Sequence, residues 1–324
     1  MREIRVTEFG GPEVLVPVAV PDPEPGEGQV VVGVSVVDTI FVETQIRSGH
    51  ARTWFPVQPP YVPGGGVAGH VTRVGTGVDP AWIGRAVITR AVVNGSYAEQ
   101  VVAAADGLVA VPEGLGLPEA AALAHDGTTA MMLFGPAGVT AGQWVLITAA
   151  GGGMGLLLTQ LAHAAGARVI GAARGARKLA LIRELGAEVV VDYTEPGWTD
   201  EVRKVTGGAG VDVLWDGAGG EIGRAAFEVA ADGARVSAHG APSSSFAAID
   251  PAEAARRNIT LTGIAELQVS PADAVGRTVE AVEAAAAGRM RPHISRTFPL
   301  ERAADAHAAI ENRDITGKAL LLVG

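Results

Sequence analysis

The rhythm of apolar positions changes about a third of the way along the chain. In the first part, short β-branched runs alternate with turn signals. Gln29 to Val37 and Gly84 to Ile88 read as strands, and Phe9-Gly10-Gly11-Pro12, Pro21 to Gly26 and Gly75-Thr76-Gly77 read as turns. That texture predicts a compact all-β or β-barrel unit. At Leu117-Pro118-Glu119-Ala120 a proline suits the first turn and a glutamate complements the dipole, so a helix is expected to start there. Beyond it, strand-like runs alternate with helical ones: Val145–Thr148, Ala167–Ala173, Glu188–Asp192, Val211–Asp216, Ala234–Ala238 and Ile259–Gly263. Alternation of this kind implies a parallel sheet, and six strands make a full doubly wound set. Pro271 to Gly288 reads as one long Ala-rich helix. The tail returns to the first texture, with strands at His293–Phe298 and Lys318–Val323 around a helix. The expected division is therefore residues 1–119, residues 120–268, and a segment 269–324 that folds back onto the first unit. Internal repeats and low-complexity linkers are absent.

Composition narrows this picture. With 324 residues the chain exceeds a typical single domain. Apolar residues make up 48%, yet no uninterrupted apolar run reaches the roughly 18 residues of a membrane span. Met1 to Val6 lacks a signal-peptide apolar core, so a cytoplasmic protein without a membrane partner is expected. The net charge is −10, and the basic residues form no block beyond one small cluster, which argues against nucleic acid. The chain has no cysteine, which excludes disulfides, thiolate nucleophiles and any zinc site built on Cys.

Candidate chemistry centres on Val145 to Leu158. Here a buried-strand pattern runs into Ala149-Ala150-Gly151-Gly152-Gly153-Met154-Gly155, and an apolar helix opens directly behind. A glycine-rich strand-to-helix turn lets backbone N–H groups and the helix dipole approach a pyrophosphate, as in a Rossmann fold. The alternative for the turn alone is an ordinary tight βα connection. The next strand ends near Arg174, where an NAD site would place an acid for the ribose 2′-hydroxyl. This chain instead offers Arg174, Arg177 and Lys178, and guanidinium forks match phosphate geometry. Three cations at a helix start oppose its dipole unless an anion sits there. NADPH is therefore expected over NADH. Without thiol, Cys-built metal site or Ser/His/Asp grouping, hydride transfer by such a cofactor is the chemistry that fits. An electron-poor acceptor takes hydride without a Lewis acid, whereas a simple ketone or alcohol usually needs its oxygen polarised.

Taken together, the order of several short stretches resembles the medium-chain dehydrogenase/reductase superfamily, and within it the zinc-independent, zeta-crystallin-like NADPH:quinone oxidoreductases. They are Glu43 to Gly49, Pro63 to Gly69, Gly95 to Glu99, Gly127 to Ala130, Asp192-Tyr193, Asp216 to Gly220 and Gly317-Lys318-Ala319, besides the glycine turn. The resemblance implies an α/β fold, a Rossmann doubly wound parallel sheet plus a GroES-like β-barrel catalytic domain, in a homodimer or homotetramer. It implies that Ala150, Gly152, Gly153, Met154 and Gly155 meet the pyrophosphate and that Arg174, Lys178 and Tyr193 surround the 2′-phosphate. Thr129, with Asp126, is implied beside the nicotinamide. Gly219, His239, Gly240 and Lys318 complete the cofactor set, His239 either donating to the cofactor or packing. Where zinc members carry Cys and Gly-His-Glu, this chain has Ile40 and Gly64-Gly65-Gly66, so no metal is expected; His70 reads as structural. Ile40 also replaces the quinone reductases' usual Asn, and Gln45 their Tyr; Asp38 and Thr39 are nearby polar groups of undetermined direction. Ile40, Gln45, Tyr61 and Tyr97 either line the substrate or belong to the barrel. His125-Asp126 is an acid–base pair in sequence, although adjacent helical residues do not share a face. The expected reaction is reduction of a quinone or related carbonyl by NADPH. The alternatives are a 2-alkenal or enoyl reductase, and a non-catalytic NADPH-binding sensor.

Overall fold

A computed structural model describes residues 1–90, 95–242, 245–267 and 269–324. Residue 268, at which the second segment was expected to end, lies outside them. In chain order the elements are β1 (Arg2–Val6), β2 (Leu15–Ala19), β3 (Gln29–Asp38), α1 (Phe41–Ser48), β4 (Gly66–Val74), β5 (Ala86–Arg90), β6 (Gln100–Ala104) and β7 (Val109–Ala110). Then come α2 (Leu117–Leu123), α3 (Asp126–Ala137), β8 (Trp144–Thr148), α4 (Gly153–Ala164), β9 (Arg168–Ala173), α5 (Ala176–Glu184), β10 (Val189–Asp192) and α6 (Trp198–Val205). The chain continues through β11 (Val211–Asp216), α7 (Gly220–Glu228), β12 (Ala230–Ala238), α8 (Pro251–Arg256) and β13 (Thr260–Gly263). It ends with α9 (Pro271–Ala286), β14 (Ile294–Pro299), α10 (Ala303–Glu311) and β15 (Lys318–Leu322).

Two compact units result. The first comprises Met1–Thr128, Pro271–Gly288 and Pro292–Gly324, and the second Thr129–Ser270 with Arg289–Arg291. In the first unit, a seven-stranded sheet runs β14-β15-β3-β4-β5-β7, with β6 also on β3. The long β3 serves two partners along one side, β6 at Gln29–Gly33 and β15 at Val36–Asp38. Its alternating valines Val30, Val32 and Val34 and the later Val37 enter a core shared with Ile4, Val67, Tyr97, Phe298 and the alanine face of α10. The tail strands β14 and β15 therefore complete this sheet rather than form one of their own.

The second unit is a parallel sheet of order β10-β9-β8-β11-β12-β13. The order steps outward from β8 on one side, then jumps back to β11 beside it, which creates the switch point where open α/β sheets bind ligands. Strands buried on both faces explain the continuous apolar runs: Val145, Leu146 and Ile147 of β8 are at most 1% exposed. Leu156, Leu157 and Leu158 at the start of α4 are equally buried, each contributing about 2 kcal/mol. Among the described residues, no helix is long and apolar enough to cross a membrane.

Candidate functional site

In the second unit, every residue proposed to hold the cofactor lies at a carboxyl end of the parallel strands or just beyond it. At the end of β8 the chain turns through Ala149, a non-glycine residue at φ 51°. That left-handed conformation costs an L residue of order 1 kcal/mol and is the reason glycine is usual at this position. Gly152 caps α4 without a side-chain hydrogen bond. The helical ladder begins with Leu156 N–H donating to Gly152 O (3.0 Å), so the N–H groups of Gly153, Met154 and Gly155 are the helix's surplus donors. A Cβ on Gly155 would stand 2.7 Å from Ala150 Cα, so only glycine lets the helix pack this close to the turn. An uncapped, glycine-lined helix start of this kind fits a pyrophosphate.

The neighbouring turn carries the charge. β9 ends at Ala173, Arg174 is exposed, and α5 follows Gly175. Lys178 lies across the first turn: a Cβ on Gly151 would meet its aliphatic stem at 2.9 Å. An acid, Asp192, stands at the end of β10 and feels the Arg174 charge. Its Oδ2 accepts from Gly175 N (2.7 Å) and its Oδ1 from Thr194 N (2.9 Å) and Oγ1 (2.6 Å). Burial opposes ionisation of Asp192, but these bonds and the Arg174 charge hold it below the usual range. Asp192 thus shapes the turn, and its oxygens are committed to it rather than to a ribose. Tyr193 follows, half-buried, with its N–H on Ala173 O. Arg177 is exposed on α5.

Asp216 and Thr148 sit at the switch point itself, and sequence reading did not single them out as a pair. Asp216 is fully buried at the end of β11. Its Oδ1 accepts from Thr148 Oγ1 (2.6 Å), Ala218 N (3.0 Å) and Gly219 N (3.1 Å), while Thr148 Oγ1 also accepts from Ala218 N. Burial raises the Asp216 pKa against these bonds. The carboxylate fixes the loop bearing Gly219, whose φ is +69° and whose Cβ would meet Ser245 O at 2.3 Å and Gly240 O at 2.4 Å. His239 is buried beside Gly217, its Nδ1 3.2 Å from Ser237 Oγ, and burial lowers its pKa to about 4. It is therefore neutral at physiological pH.

The remaining candidates belong to the first unit, except Thr129, which is half-buried at the start of the second. Its neighbour Thr128 is consumed internally, donating to Ala124 O and sharing a bond with Thr278 Oγ1. Ile40 precedes α1, where its N–H donates to Glu43 Oε2 (3.1 Å). Ile40 and Gln45 are half-buried. Tyr97 is core: it is fully buried and donates to Glu43 Oε2 (2.7 Å). Its oxygen also lies 2.9 Å from Nε2 of the buried His307. Burial raises Glu43 to about 7 and lowers His307 to about 3. The Tyr61 hydroxyl is buried without a hydrogen-bond partner among the described residues, and burial pushes its pKa up to about 12.

Lys318 proves to be an internal ion-pair residue. Its Nζ lies 2.6 Å from Asp38 Oδ1 and 3.1 Å from Asp126 Oδ2, and it donates to Thr39 O (3.1 Å). All three contacts lie within the first unit. Asp38 also meets His125 Nδ1 at 3.2 Å. Burial raises Asp126 against the Lys318 charge. His70 is exposed on β4. No group of three or more His, Cys, Asp and Glu that could hold a metal occurs among the described residues.

Residues 26–113 match the alcohol dehydrogenase GroES-like domain, and residues 153–281 match the zinc-binding dehydrogenase domain. A quinone oxidoreductase of Sus scrofa is 34% identical, with 100% of this chain and 98% of that protein covered. A 2-haloacrylate reductase of a Burkholderia species is 31% identical, with 97% and 96% covered. A mycobacterial protein solved in complex with NADPH superposes with a TM-score of 0.89 at 33% identity, over 99% of this chain and 100% of that one.

Proposed function

The chain belongs to the zeta-crystallin-like quinone oxidoreductase group of the medium-chain dehydrogenase/reductase superfamily, and from this premise we propose an NADPH-dependent reductase of quinones or related electron-poor carbonyls. The observation that carries this reading is the switch-point constellation in the second unit. There an uncapped glycine turn adjoins a second turn bearing Arg174 and Lys178, with Asp192 bonded into that turn.

Surplus N–H groups of Gly153, Met154 and Gly155 would take the pyrophosphate. Arg174 and Lys178, with Tyr193 beside them, would take the adenosine 2′-phosphate. Gly219, Gly240 and neutral His239 would border the cofactor at the ends of β11 and β12, and Thr129 its nicotinamide end. Bound there, NADPH supplies a hydride. The chain's task is to orient donor and acceptor and to keep water from the reacting carbon. Zinc independence belongs to the proposal: Ile40 and Gly64-Gly65-Gly66 offer no donor atoms where zinc-dependent members have ligands. Ile40 and Gln45 are proposed to contact the acceptor.

A second reading, reduction of an α,β-unsaturated carbonyl, is favoured by the Burkholderia relative, whose name describes such a substrate. A cytoplasmic homodimer or homotetramer completes the proposal; β13, which among the described residues pairs with β12 alone, is one of the sheet's two edges and would be available to a second copy. NADPH oxidation followed with a panel of quinones, 2-alkenals and enoyl thioesters tests the reading. Turnover of quinones or enones is expected, whereas tight NADPH binding with no acceptor reduced would leave only a sensor.

A further inference from the structure

His125 and Asp126 are adjacent in sequence but serve different partners. Asp126 reaches Lys318, whereas His125 Nδ1 is held by Asp38 Oδ2 at 3.2 Å. Asp38 has no side-chain exposure, and its second oxygen is on Lys318 at 2.6 Å. Arg90 from β5 and Glu43 from α1 also feel the Asp38 charge.

The imidazole itself is 13% exposed. Because Nδ1 faces a fully buried carboxylate, Nε2 is the nitrogen left for anything outside, and no described residue bonds it. Gly66 makes room for this arrangement. A Cβ there would stand 2.9 Å from Ala124 Cβ and 3.3 Å from His125 Nδ1. Gly66, one of the residues that offer no zinc ligand, thus leaves room for His125 beside Asp38, which lies two positions before Ile40.

We propose that His125, anchored through Nδ1 by Asp38, is the proton donor to the reduced acceptor. The assignment rests on the reductase reading above. A quinone that has received hydride has gained two electrons and one hydrogen, and is a hydroquinone monoanion. One proton passes from Nε2 to its oxygen and completes the hydroquinone. The imidazolium becomes neutral imidazole, with Nδ1–H still on Asp38, and regains its proton from water. In enone reduction the same proton goes to the enolate. Asp38 is a positioning residue here, and Lys318 holds Asp38 against the charge of Asp126.

The test compares His125→Ala and His125→Gln with the unaltered chain, measuring NADPH affinity by fluorescence titration and kcat with a quinone. NADPH affinity is expected to stay unchanged in both variants while kcat falls about 100-fold or more, the range of a lost general acid. Added imidazole is expected to restore turnover to His125→Ala but not to His125→Gln, whose side chain fills the space. An unchanged kcat, or a loss that imidazole does not restore to His125→Ala, would overturn the assignment and leave the reductase reading intact. No turnover by the unaltered chain would overturn both.

Discussion

At the scale of single residues, the most informative side chains are charged groups held at the ends of strands. Asp38, Asp192 and Asp216 terminate β3, β10 and β11, and each commits at least one oxygen to a neighbouring loop or cation. A run of apolar residues ending in Asp was visible in the sequence, but its partners were not, because they lie far apart in the chain. Lys318 illustrates this: its place in a family-like stretch suggested the cofactor, while folding sets it on Asp38 and Asp126. Tyr97 likewise carried a choice between substrate wall and core, and burial decides for core. Two predictions belong at this scale. Arg174→Ala should weaken NADPH binding about tenfold or more, the loss of a charge-assisted phosphate contact, with NADH binding little changed; fluorescence titration measures both.

Glu43 gives the second. Its pKa is raised from 4.5 to about 7, so its contribution to stability is fully present below about pH 4.5 and is lost as pH rises through 7. Glu43→Gln has no such cost, so its melting temperature should rise relative to the unaltered chain between pH 5 and 8 (on the order of 3 kcal/mol in full). A difference between the two melting curves that does not vary with pH would contradict the buried acid. His239 and His307, both lowered by burial, act oppositely: their contribution is present above about pH 6.5 and lost as pH falls through about 4 and 3.

At the scale of elements, the parallel sheet was legible almost strand by strand. Each of its six strands overlaps the expected run, because strands buried on both faces leave unbroken apolar stretches. The first unit was legible only as texture. Its sheet pairs residues from opposite ends of the chain, such as Leu320 with Asp38, and no local pattern encodes that. The expected helix from Pro271 ends at Ala286. The β8–α4 turn is where element packing and ligand binding meet. Gly155→Ala would press a Cβ against Ala150 backbone, which cannot yield as a side-chain tip would. The variant is expected to lose about 1–3 kcal/mol of stability and most of its NADPH affinity. Calorimetry and titration on one preparation check both effects, and a variant that binds NADPH normally would show that the close approach is not needed.

At the scale of the whole molecule, the described residues include a cationic turn in the second unit, proposed to take phosphate, and a buried charge cluster in the first. NADPH bound at about 100 times its dissociation constant should stabilise the native chain by about 2.7 kcal/mol, read as an upward shift in melting temperature. NADH at the same concentration should shift it less. The parallel sheet and the cofactor follow from residues close together in sequence, whereas the proposed acceptor contacts, Ile40 and Gln45, depart from the usual Asn and Tyr.

The central claim is that the Arg174 and Lys178 rim makes this glycine turn an NADPH site serving a quinone. Steady-state reduction of one quinone, with NADPH and then NADH as donor, tests it most directly. A kcat/KM about tenfold or more in favour of NADPH is expected, one charge-assisted contact's worth of discrimination. Equal efficiency with the two donors, or no quinone reduction with NADPH bound, would contradict it.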